Sequence, residues 1–122
     1  MPARTLTPSR LVLLLVVMAA DVALAEPHEE ELRRYADCSA YFFMAANAKG
    51  MGEFDQYYRS GEFAYNRAVR AVGKREALAD FNAASKTIND LIDRQWNRFN
   101  LADDRYAVRC ADIFREANTP AP

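Results

Sequence analysis

Apolar residues recur at steps of three and four through four successive stretches of this chain, and none alternates strictly as a half-buried strand would. Only helices turn such stripes inward. The first stripe holds Leu32, Tyr35, Ala36, Ser39, Phe42, Phe43 and Ala46, with Gly50 placed to end it as a C-cap. In the second, Phe54, Tyr57, Tyr58, Gly61, Ala64, Tyr65, Ala68, Ala71 and Val72 share one side before Gly73 closes it. Gly61 lies on that stripe, where glycine costs about 1 kcal/mol of helix propensity against alanine. It marks either the close approach of a neighbouring helix or a kink. The third stripe runs Leu78, Phe81, Ser85, Ile88, Ile92, Gln95, Trp96 and Phe99, with Asp90 and Arg94 spaced i, i+4 in the favourable order. "NLADD" interrupts the pattern; Asp103 is placed to cap a last helix and Asp104 to complement its dipole. That helix shows Ala107, Cys110, Ala111, Phe114 and Ala117. Short breaks between amphipathic helices favour antiparallel neighbours, so the expected architecture is an all-α, up-down-up-down four-helix bundle.

In such a bundle the first and last helices are adjacent and antiparallel. Cys38 lies near the middle of the first and Cys110 near the middle of the last, both on or beside apolar faces. Two cysteines allow one intramolecular pairing, so we expect a disulfide joining helices 1 and 4. The sequence has no C-x-x-C for redox exchange and no C-x-x-C-H for haem attachment. Its single histidine, His28, precedes the first helical stripe and is poorly placed to serve either thiol as a base.

The N-terminal segment sets the compartment. Arg4 and Arg10 precede or open an apolar run, Leu11–Ala20, and Ala23-Leu24-Ala25 follows. This is the order of a cleavable Sec signal peptide over residues 1–25, because the run is too short for a membrane span of about 20 residues. The mature chain then starts at Glu26, a single helical domain covers 26–118, and 119–122 form a disordered tail. The short run and alanine-rich end point to a bacterial periplasm, with an extracellular destination as the alternative. No stable membrane anchor remains after cleavage, and an oxidising compartment suits the disulfide.

The chain carries 16 basic and 17 acidic residues; without Arg4, Arg10 and Asp21 the balance is 14 to 16, a formal charge of -2. Such a balance gives no footprint for nucleic acid and no polybasic membrane patch. There is no glycine-rich phosphate loop, no G-x-S-x-G and no H-E-x-x-H. Glu26-Pro27-His28 has its histidine placed for a Cu(II) chelate, but Pro27 lacks the amide proton the chelate needs. Asp90 with Asp93, and Glu53 with Asp55, read as solvated helix faces rather than an acid–base pair. No catalytic residue, metal or cofactor is therefore assigned.

Aromatic surplus is the binding signal. Met51, Phe54, Tyr57, Tyr58, Phe63 and Tyr65 crowd one stretch, and Tyr41, Met44 and Phe63 fall off the apolar phases. Those three are expected to be more exposed than Phe42, Phe43 or Phe81 and to form a partner surface. The expected function is a non-enzymatic binding protein acting on an envelope protein: an inhibitor, an immunity-type protein or a chaperone-like protein. The alternative is a small ligand carrier or enzyme with a pocket inside the bundle, gated near Gly61, where Ser85, Asn89 or Gln95 would converge.

Overall fold

A computed structural model describes residues 28–121. The chain divides into two units, residues 1–31 and 32–122; the second carries the features below, and the signal-peptide and cleavage expectations lie outside the described residues. Among the described residues there is no strand. Helix α1 covers 28–49, α2 Phe54–Val72 and α3 Lys74–Leu91. A 3₁₀ turn, Trp96–Arg98, leads to α4, Asn100–Tyr106, and α5, Ala111–Asn118. No helix among these residues is long and apolar enough to cross a membrane.

The all-α architecture and the Cys38–Cys110 disulfide agree with the sequence reading, but among the described residues the α-helices number five rather than four, and α2 to α5 gather around α1. Between residues 36 and 46, Ala36, Cys38, Ser39, Ala40, Tyr41, Phe42, Ala45 and Ala46 are all buried. That exceeds one stripe, and a helix apolar nearly all round is one surrounded by protein. Each neighbour reaches it differently. The Ser39 hydroxyl donates to the Gly61 carbonyl of α2 at 2.9 Å. Phe43 meets Phe81 of α3 edge-on, ring centroids 6.0 Å apart. Tyr41 stacks on Phe99 and on Tyr106 of α4. The core is completed by Ala64, Ile88, Ile92, Ala102 and Ile113, drawn from α2, α3 and the segments after it.

Two expected helices break. α3 stops at Leu91 rather than running to Phe99, because Asp93 and Arg94 take left-handed conformations, φ 53° and 55°. The Arg94 N–H reaches back to the Asn89 carbonyl at 2.9 Å and the Asp93 N–H to the Asp90 carbonyl at 3.2 Å. This is a Schellman closure with aspartate where glycine is usual. Trp96 and Gln95 are exposed as a result, and Asp90 pairs with Lys86 at 2.9 Å instead of Arg94. The last expected helix divides at residues 107–110, where the Ala111 N–H bonds the Val108 carbonyl three residues back. Cys110 is therefore the N-cap of α5 rather than a mid-helix residue. Asp103 lies inside α4 and does not cap it.

Gly61 separates its two readings cleanly. α2 runs unbroken through it, and a Cβ built there would lie 2.9 Å from the Phe43 ring. The position marks close approach, not a kink. Gly61→Ala gains about 1 kcal/mol of helix propensity but overpacks a site where overpacking costs about 1–3 kcal/mol. We expect net destabilisation, reversed when Phe43→Ala is combined with it; chemical unfolding of both single variants and the double variant measures this. Stabilisation by Gly61→Ala alone would show that the ring yields freely.

Candidate functional site

The disulfide lies within the buried core of the second unit. Cys38 and Cys110 are both 0 % exposed, with Cα atoms 5.6 Å apart, within the range of about 7 Å that a disulfide can bridge. Charged pairs flank the crosslink. Asp37 accepts from Arg109 at 3.1 Å, and Arg34 grips Asp112 through two guanidinium nitrogens at 2.8 and 3.1 Å. Burial pushes the Asp37 carboxyl up, against the opposing pull of Arg109. The Arg34 hydrogen bond holds Asp112 below the usual carboxylate range.

A second polar group lies near the far end of α1. The Tyr41 hydroxyl donates to Asp103 at 2.6 Å, and Lys49 donates to the other oxygen of that carboxylate at 2.8 Å. The Lys49 ammonium also stands 5.7 Å from the Tyr57 ring centroid. Burial opposes the charge on Lys49, but the bond to Asp103 overrides it and raises the pKa. The aspartate that the sequence marked as a helix cap thus serves as the acceptor for a buried tyrosine. Among the described residues every buried side-chain nitrogen or oxygen has a hydrogen-bond partner.

Tyr41 therefore does not belong to an exposed partner surface: it is 2 % exposed, against 1 % for Phe42. The reason is the central position of α1, which places Phe99 and Tyr106 against the Tyr41 ring. Met44 and Phe63 are half-buried and pack against the core, and Arg67 holds its guanidinium 4.8 Å from the centre of the Phe63 ring. The exposed aromatic surface lies elsewhere. Phe54 stacks on Tyr58 at 5.6 Å, Tyr58 meets Phe43 at 5.1 Å, Phe43 meets Phe81 at 6.0 Å and Phe81 meets Tyr65 at 5.7 Å. This continuous strip crosses α2, α1 and α3. Phe54 and Tyr58 are 37 % and 44 % exposed, and Met51, in the turn before α2, is 97 % exposed.

Two open clefts accompany it. One, of about 290 Å³, has aromatic walls from Tyr41, Phe42, Tyr57 and Phe114, with Arg115 also lining it. The other, of about 320 Å³, is lined by charged side chains of α1, α3 and the α4–α5 region. Ser85, Asn89 and Gln95 line neither cleft. Asp93 faces Arg98 at 3.9 Å, and with Asp90 held by Lys86 the two carboxylates serve ordinary ion pairs. Among the described residues no group of three or more metal-ligating side chains comes together. No protein-family model, curated protein or solved structure matches this chain.

Proposed function

We propose that this chain is an exported, non-enzymatic protein-binding module of a bacterial envelope, of the inhibitor, immunity or chaperone kind, and that it meets its partner through the aromatic strip. The observation that carries this reading is the ring-to-ring run from Phe54 to Tyr65 across three helices, with Phe54 and Tyr58 open to solvent. Aromatic side chains offer large contact area at low conformational cost and dominate binding hot spots. The buried disulfide supports an oxidising destination, and the periplasm is the compartment we assign. Exposed Glu62 lies one turn from both Tyr58 and Tyr65 on α2, which favours a partner presenting apolar side chains with a basic flank.

The test is cross-linked capture from envelope extract by the wild-type chain and by a Phe54→Ala/Tyr58→Ala variant. Because both side chains are part-exposed, the variant should keep its fold. It should bind the captured partner at least about tenfold more weakly, the size of a single modest hot spot. Equal capture of one partner by both forms would remove the strip as the interface. Concentration-dependent self-association of the pure chain would make the partner a second copy.

A further inference from the structure

The charged cleft shares no residue with the aromatic strip, so the two proposals stand or fall separately. Arg33 and Asp37 of α1, Asp80 and Thr87 of α3, and Arg105 and Arg109 of the α4–α5 region line its 320 Å³. Three guanidiniums in one cleft repel each other, and only one is neutralised: Arg109 pairs with Asp37 at 3.1 Å. Arg33, Arg105 and Asp80 form no ion pair among the described residues. The Asp37–Arg109 pair is anchored beside the crosslink, since Cys38 follows Asp37 and Cys110 follows Arg109.

We infer that this cleft binds a small zwitterion carrying a phosphate beside a primary amine, the chemistry of a phosphoethanolamine headgroup, free or on a lipid. The unpaired guanidinium forks of Arg33 and Arg105 match a phosphate, which planar donors grip two oxygens at a time. Arg109 neutralises Asp37, leaving the Asp80 carboxylate as the one unmatched negative charge. That carboxylate repels a plain anion and attracts an ammonium. The Thr87 hydroxyl already donates to the Ala83 carbonyl at 3.0 Å, so its oxygen offers only acceptor lone pairs, which suit an amine. The volume lies at the lower limit of ordinary ligand pockets, about 300 Å³, which restricts the occupant to headgroup size.

Calorimetric titration of the purified, oxidised chain with O-phosphoethanolamine and with inorganic phosphate tests the assignment. We expect phosphoethanolamine to bind at least about tenfold more tightly than phosphate. Arg33→Gln/Arg105→Gln should lose at least about tenfold in affinity with an unchanged thermal midpoint, while Arg75→Gln, outside the cleft, changes nothing. Asp80→Asn should abolish the preference for the amine-bearing ligand. Arg105→Lys keeps the charge and removes the fork, and should give an intermediate loss. Flotation with phosphatidylethanolamine and phosphatidylcholine vesicles assigns the source: selective binding to the former identifies a lipid, and binding of the free compound alone identifies a soluble ligand. Binding of neither compound nor vesicle, undiminished affinity in the double arginine variant or in Arg105→Lys, or equal affinity for phosphate overturns the inference.

Discussion

Replacing Cys38 or Cys110 by serine is expected to lower stability by about 2–5 kcal/mol, and replacing both by no more than either alone, because each single change already removes the crosslink. The bond spans a sequence separation of 72 residues, so breaking it releases nearly the whole domain in the unfolded state. The chain-entropy relation gives about 4 kcal/mol for such a loop, against a total of about 5–15 kcal/mol for a typical domain. Urea unfolding with and without reductant checks this. The wild-type midpoint should fall to that of the double variant when reduced, while the double variant should not move. An unchanged wild-type midpoint, with thiol titration showing two free thiols, would mean the crosslink contributes nothing to stability.

Tyr41→Ala should cost about 3–5 kcal/mol, the range for emptying a buried aromatic site, and Tyr41→Phe about 1.5–3 kcal/mol, the range for a hydrogen bond to a charged group. The ring stacks on Phe99 and Tyr106 with centroids 5.8 and 5.7 Å away, and its hydroxyl is 2.6 Å from the Asp103 carboxylate. A residue on a partner surface would instead tolerate alanine. Burial, and then the bond to Asp103, raise the phenol well above its ordinary value of 10.0. In the unfolded chain Tyr41 ionises near that ordinary value. The stability held by the neutral phenol is therefore complete below pH 10 and lost above it. Unfolding curves across that range should fall more steeply for the wild type than for Tyr41→Phe; parallel curves would show that the bond to Asp103 does not favour the neutral phenol.

What the sequence made legible was whatever depends on periodicity and on counting. α1 and α2 follow from their stripes and from Gly50 and Gly73, both of which adopt positive φ, 86° and 90°. The disulfide follows from having two cysteines on apolar faces. What stayed hidden depends on which helix is central. A stripe argument assigns each helix one wet side, and α1 has almost none between residues 36 and 46, so Tyr41 was misplaced. The end of α3 carries no glycine or proline; Asp93 and Arg94 adopt the left-handed turn themselves, and nothing in "LIDRQW" announces it. The aromatic strip was half visible: Phe54, Tyr58 and Tyr65 stood in one crowded stretch, but Phe43 and Phe81 join them only across helices. The charged cleft has no local signature, since its residues are scattered from Arg33 to Arg109.

The central position of α1 also has a consequence in time. It is made before every helix that covers it, and the segment bearing Phe99, Tyr106, Cys110 and Ile113 is made after α2 and α3. Contacts of such long sequence separation form slowly, and unburied apolar surface invites aggregation in the interval. Tyr41 and Phe42 thus stay partly uncovered until that segment has been made, whereas Phe43 finds its partners earlier, in Tyr58 and Gly61 of α2 and Phe81 of α3. The hub is therefore closed only once the segment from Phe99 to Ile113 has been delivered.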